Sequence, residues 1–311
     1  MSSETQRPPQ SGTRGSRREV LAGLAAGIGG LAGCTSLLVS EGAGQPVSML
    51  VAGSLANPME NGLRPALDRP LRVEAHGSAH GARLVASGKR DPDIVSLADT
   101  VLFSAPMSAD WYAKFATNAV VLAYDPETPG GARIERRAPD RWYDPLLSGD
   151  VRFGRTDPDL DPLGYRTLFV FKLASDHYGV AVDLRKAIPR RGQIYPETRL
   201  ASAFETGGVE AAMVYRSTAI EREYEFISFP PAIDLSDPAF AERYATVSYD
   251  LPGGKTVEGA PIAYGATLRT TDGAPRAVFE RHVTGDYLAA FGFGVPDAYP
   301  RYVGDVPDGV R

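Results

Sequence analysis

One cysteine, Cys34, stands in 311 residues, so no disulfide can form within a single chain and no cysteine-built metal centre is possible. Histidine is nearly as scarce, with four residues, of which His177 and His282 are isolated. His76 and His80 have an i, i+4 spacing that would suit a metal, yet Gly77-Ser78 between them puts a turn there, so a histidine-rich site is not expected. Lysine is sparse, and the arginines that supply most of the positive charge are not clustered. With a net charge of −5 and a pI near 5.5, a nucleic-acid surface is excluded. Also absent are a Gly-x-Ser-x-Gly elbow, a phosphate-binding loop, a dinucleotide fingerprint, an internal repeat and any apolar run long enough to stay in a bilayer as a helix.

What is present is ample core material, 43% hydrophobic residues in a chain longer than one average domain, which points to two lobes. Residues 1–45 stand apart from the fold. Arg17-Arg18 precedes the weakly hydrophobic run Leu21 to Gly33, which resembles a twin-arginine export signal. Leu31-Ala32-Gly33-Cys34 resembles a lipobox, and the Ser/Gly-containing stretch from Thr35 to Gln45 suits a tether. Cys34 is therefore the expected lipid attachment point, which would hold the mature protein on the outer face of the membrane.

Past the tether, strand, tight turn and helix alternate. Val47 to Ala52 runs into Gly53-Ser54 and a helix near Asn57 to Leu67; Leu71 to Ala75 runs into Gly77-Ser78 and a helix from Ala79 to Ser87. Asp93 to Leu97 is a further strand, with a helix expected at Asp110 to Phe115. This pattern indicates α/β sheets with parallel strands, whose ligands bind beyond the carboxyl ends of the strands, where both Gly-Ser pairs lie. Asn118 to Tyr124 is long enough to cross into a second lobe. The expected division is 46–122 for the first part of lobe 1, 123–224 for lobe 2 and 225–311 for the return to lobe 1, which closes with an amphipathic helix at Ala274 to Phe291.

The densest signal is Phe153 to Thr167. It holds Asp157, Asp159 and Asp161, Pro158 and Pro162, and Gly154 and Gly164, just before an apolar helix from Tyr165 to Tyr178. A helix start offers free N–H groups and a positive dipole end, so an anion can sit there without lysine, and Gly164 would allow close approach. Ser54 and Ser78 can each add a hydroxyl and a backbone N–H, although each could equally be an ordinary N-cap. Tyr215, at the end of the strand Val209 to Tyr215, is either a hydroxyl donor or a core aromatic. Asp157 and Asp159 fit turn formers, and Asp161 could be one too. Arg166 and the pair Arg190-Arg191 are expected in solvent, Arg166 being also able to pair with the acidic turn. Trp111 and Trp142 fit lobe-core or lobe-edge positions.

Ala52-Gly53-Ser54-Leu55, Gly77-Ser78, Asp110 to Asn118, Asp157 to Thr167, Phe229-Pro230-Pro231-Ala232-Ile233-Asp234-Leu235 and Pro261 to Gly265 occur in an order that resembles the tungstate/molybdate-binding proteins of archaeal-type ABC importers. The resemblance implies a type-2 periplasmic-binding fold: two α/β lobes joined by crossover strands, closing on one oxyanion. It further implies contacts from Ser54, Ser78, Gly164 and Tyr215, and ligation of the molybdenum or tungsten centre by Asp161. The partner would be a membrane permease; no other cofactor, no nucleic acid, no catalysis and a monomeric state are expected. Beside sulfate or phosphate an ionised Asp161 would be repulsive, by roughly 4 kcal/mol for unit charges at 4 Å and an effective dielectric near 20. Relatives carry a second ligating glutamate where this chain has Val214, and Glu210 is expected at the surface or in a turn. Two other functions stay open: the same fold binding sulfate, phosphate or a small organic acid, and a lipid-anchored hydrolase using Ser54 or Ser78 with His76 or His80 as base.

Overall fold

The computed structural model describes residues 45–270 and 273–310. The twin-arginine segment, Cys34 and nearly all of the tether lie outside the described residues.

Branched apolar runs build two sheets. In the first, β1 (Val47–Ala52) lies parallel to β2 (Leu71–His76) on one side and β3 (Ile94–Leu97) on the other. Every residue of β1 is buried, as a central strand covered on both faces requires. The chain continues through β4 (Trp111–Thr117) into the second sheet, formed by β5 (Val120–Tyr124), β6 (Phe153–Gly154), β7 (Ala211–Tyr215) and β8 (Phe226–Ser228) in the order β6-β7-β5-β8. It then forms a small hairpin, β9 (Ser248–Asp250) with β10 (Thr256–Glu258), and re-enters the first sheet as β11 (Ala263–Leu268) and β12 (Arg301–Gly304). The completed first sheet has the order β12-β4-β11-β3-β1-β2, with β11 antiparallel to both β3 and β4.

Three expectations change. Asp110 to Phe115 is no helix: Trp111, Ala113 and Phe115 are buried while Tyr112 and Lys114 are partly exposed, the alternation of a strand, and β4 pairs with β11 and β12. Asn57 to Leu67 is a broken winding of 3-10 and π turns, since Pro58 and Pro65 remove backbone donors within it. The closing helix ends at Val283, and a separate 3-10 stretch, Asp286–Phe291, follows Gly285. The sheet memberships also place the crossings differently. β5 belongs wholly to the second sheet from Val120, and β8 still pairs with it, so the return comes after Ser228 instead of at 225.

Asn118 sits at the first crossing and ties it down. Its side-chain N–H group donates to Ser217 Oγ (2.8 Å) and to the Tyr264 hydroxyl (3.3 Å), and its Oδ1 accepts from the Ser217 backbone N–H (3.2 Å). The lobe-2 core gathers on the helix Pro162–His177, where Trp142, fully buried, packs on Phe171 and Phe229.

Candidate ligand-binding cleft

The cleft is made where strands end and helices begin. Gly53 and Ser54 follow β1 directly, and Ser78 opens the helix Ser78–Ala86 after β2. From lobe 2, Asp161 precedes the helix Pro162–His177 and Glu197 opens the helix Glu197–Glu205. Three helix starts of nine residues or more thus point N–H groups and positive dipole ends into one region.

The two lobes meet closely there. A Cβ at Gly77 would lie 2.5 Å from the Leu160 carbonyl oxygen and 3.0 Å from Asp161 Cβ, and one at Gly53 would overlap the Glu197 carboxylate. The His80 backbone N–H donates to Leu160 O (3.0 Å) and Arg83 Nη2 donates to Asp159 O (2.7 Å), so lobe 1 clasps the backbone of the acidic turn. Asp157 shapes that turn: its Oδ1 accepts from the Asp159 N–H (3.0 Å) and its carbonyl from Leu160 and Asp161.

Ser78 is fully buried, and its Oγ accepts from the Ala98 backbone N–H at 3.0 Å, which leaves its own hydrogen to donate. The N-cap is Gly77 and no side-chain capping bond forms. Ser54 Oγ shares a hydrogen bond of 2.9 Å with the Tyr264 hydroxyl. Tyr215 is fully buried beside Tyr264, ring centroids 6.1 Å apart, and its hydroxyl accepts from Arg166 Nη1 at 2.8 Å. Burial pushes the Tyr215 hydroxyl well above its ordinary pKa, so it is a neutral group whose hydrogen remains available.

Arg166 corrects an expectation. It is 4% exposed and reaches lobe 1, with Nη1 donating to Ala98 O (2.7 Å) and Nη2 3.1 Å from Asp99 Oδ2. Burial opposes its charge, but Tyr215 and Asp99 more than compensate and hold it protonated. Tyr165 donates to the same Asp99 carboxylate at 2.8 Å. Gly164 is corrected as well. Its N–H donates to Asp161 O (3.0 Å), and a Cβ there would come within 2.5 Å of the Asp157–Pro158 backbone, so this glycine lets the helix start pack on the turn. Glu210 is buried, not superficial, and braces two loops by accepting from the N–H groups of Gly130 (3.1 Å) and Arg152 (2.9 Å). His76 pairs with Glu74 at 2.7 Å, and no group of three metal-ligating side chains occurs among the described residues.

Two carboxylates make no hydrogen bond of good geometry among the described residues, although donors lie close to each: Thr156 and the Leu163 N–H to Asp161, Ser54 and the Gly53 N–H to Glu197. Asp161 is 2% exposed and neither oxygen is paired; both oxygens of Glu197 are buried and unpaired too, as is the nearby Thr156 hydroxyl. Burial drives the Asp161 pKa up to about 6, against the opposing pull of Thr156, the Leu163 N–H and Arg166. Burial, and then the charge of Asp161, push Glu197 well above the usual carboxylate range, while Ser54 and the Gly53 backbone act the other way. An unpaired buried carboxylate costs several kcal/mol at least, so two in one cleft need a chemical partner. That partner must satisfy hydroxyl and N–H donors and also accept carboxylate oxygens.

Residues 66–280 match a family described as bacterial extracellular solute-binding proteins. The chain belongs to that family. This solute-binding protein is 50% identical over 96% of its length to a protein of Haloferax volcanii named for molybdenum binding in an ABC transporter, of which the match covers 98%. It is 31% identical over 70% of its length to a molybdate/tungstate-binding protein of Thermococcus kodakarensis, covering 71% of that chain. Among solved structures, the periplasmic molybdate-binding protein of Azotobacter vinelandii superposes with a TM-score of 0.52 at 14% identity, over 80% of this chain and 99% of that one. The sulfate-binding protein of Mycobacterium tuberculosis gives 0.55 at 13% identity, over 82% and 88%. The fold is accordingly the two-lobed type-2 binding-protein fold.

Glu197 and Thr156 were not legible as site residues. Pro196-Glu197 has the form of any helix start with an acid in its first turn, and nothing in the spacing ties it to a turn more than thirty residues earlier.

Proposed function

We propose that this solute-binding protein captures molybdate or tungstate outside the cell and delivers it to the permease of an ABC importer. The observation that carries the proposal is Asp161, a buried and unpaired carboxylate set among anion-seeking donors. For sulfate, which has no hydrogen to donate, the ionised carboxylate is repulsive, and for phosphate it is tolerated only where a P–OH donates to it. A hexavalent molybdenum or tungsten centre keeps the oxyanion's acceptor oxygens and can also take a carboxylate oxygen as a ligand. In this account Ser54, Ser78 and Tyr215 donate to the oxo groups and Asp161 ligates the metal. The names of the relatives in Haloferax volcanii and Thermococcus kodakarensis support the same ligand class.

Closure follows from one dianion bridging both lobes, with Ser54 and Ser78 on one side and Asp161 and Tyr215 on the other. Cys34 would carry the lipid that keeps the monomeric receptor at the outer membrane face, beside its permease. Isothermal titration of the mature protein tests the proposal. Sub-micromolar binding of molybdate and tungstate with far weaker sulfate binding is expected; equal affinity for sulfate and phosphate would overturn it.

A further inference from the structure

Position 214, where relatives of the resembled group place a ligating glutamate, holds a valine here. Val214 lines a small cavity of about 120 Å³ together with Gly53, Ser54, Leu163 and Glu197. The carboxylate that reaches this space comes from another element, the start of the helix Glu197–Glu205. Its oxygens are buried and make no good hydrogen bond, and they lie so close to Gly53 that a Cβ there would displace the Glu197 carboxylate from this position. Asp161 is near enough for its charge to act on Glu197.

We propose that Glu197 is the second carboxylate ligand of the bound molybdenum or tungsten centre, supplied from the helix start in place of a side chain at position 214. The inference rests on the oxyanion function proposed above. Three observations support it together. Glu197 shares one cavity wall with Val214, so a valine at 214 leaves room that a glutamate there would fill. Gly53 removes the side chain that would block the approach. Ser54 and the Gly53 backbone favour the charged carboxylate, but the guanidiniums beside the cleft are engaged elsewhere: Arg222, which lines the same cavity, pairs with Glu205, and Arg166 with Asp99, Ala98 O and Tyr215. A simple cation is a poor occupant, because three helix starts turn their positive ends to the cleft. A metal oxyanion satisfies both sets of groups. It keeps its four oxo groups, while Asp161 and Glu197 each contribute one oxygen lone pair; no bond breaks, no electron is transferred, and any proton on either carboxyl leaves to solvent.

The test uses the mature protein with sodium tungstate, read by titration calorimetry and by X-ray absorption at the tungsten L3 edge. Six oxygen neighbours are expected in the wild type. In Glu197→Gln and Glu197→Ala one neighbour is lost and affinity falls by about 10- to 100-fold, whereas the double variant Glu197→Ala with Val214→Glu regains the neighbour. Because Glu197 is an unpaired acid, its removal leaves folding intact, which circular dichroism verifies. An unchanged coordination number and affinity in both single variants, with the wild type still binding tungstate tightly, would overturn the role of Glu197 and leave the proposed function standing. A wild type that does not bind tungstate would overturn both.

Discussion

Replacing Asp161 by Asn should stabilise the ligand-free protein and weaken its complex, a pair of opposite effects that turn architecture alone would not produce. In the free fold the Asp161 pKa is raised to about 6 from 3.8, chiefly by burial. A carboxyl whose folded pKa is raised binds protons more tightly when folded. Its contribution to stability is full below the unfolded value near 4 and is lost as pH rises through about 6. At 1.36 kcal/mol for each pH unit between the two values, about 3 kcal/mol is lost by pH 7.5. Opening of the lobes would hydrate the carboxylate and cap that loss, so about 3 kcal/mol is a ceiling. For a chain of this size it corresponds to a midpoint rise of about 6 to 12 °C in Asp161→Asn at pH 7.5, shrinking towards zero near pH 4. Thermal unfolding of both proteins without ligand, at pH 4 and pH 7.5, measures it. Excess tungstate should reverse the order, because mass action stabilises the tighter binder. An Asp161→Asn protein less stable than wild type at pH 7.5 without ligand would refute the reasoning and assign Asp161 to the turn.

Gly77→Ala should leave the separate lobes folded but hinder closure, because the obstacle, Leu160 O at 2.5 Å, is backbone that cannot swing aside. Small-angle scattering should then show the open form at saturating tungstate, with affinity reduced by about 100-fold; wild-type binding would disprove the close approach. Tyr215→Phe removes a hydroxyl hydrogen aimed at a charged ligand, a bond worth about 1.5–3 kcal/mol, so calorimetry should find roughly 10- to 100-fold weaker tungstate binding. Unchanged affinity in that variant would make Tyr215 a core aromatic that only orders Arg166.

Local chemistry explains which parts of this protein are legible in its sequence. β1 and β2 are branched apolar runs that end in Gly53-Ser54 and Gly77-Ser78, and a run that stops at Gly-Ser signals strand and turn without help from the rest of the fold. Asp161 is legible because the Asp-Pro string around it is long and specific. By contrast, Asp110 to Phe115 has too few residues to separate a helix from a strand, and only its pairing with β11 and β12 decides. Arg166 depends on what lies opposite its helix, and Asp99 comes from lobe 1. Gly164 correctly signals a close approach, and the group that approaches it is the Asp157–Pro158 backbone. Glu197 is the extreme case, since its role exists only after both lobes have folded and met.

The placement of two unpaired acids in an anion-seeking cleft bears on selectivity more than on affinity. Each helix start contributes roughly 0.3–1 kcal/mol towards an anion, and each hydroxyl donor about as much as an ordinary charged hydrogen bond. For sulfate those gains meet repulsion from Asp161 and Glu197, each roughly 4 kcal/mol at 4 Å with an effective dielectric near 20, or else the carboxyls must take up protons. Protonation is accessible to both, given burial that raises their pKa values, so sulfate binding should strengthen as pH falls. Tungstate, ligated by ionised carboxylates, should bind better as pH rises through about 6, where Asp161 loses its proton. The ratio of the two affinities then changes with pH in the direction the carboxylates set, which donors such as Ser54, Ser78 and Tyr215, having no proton to lose in that range, cannot produce.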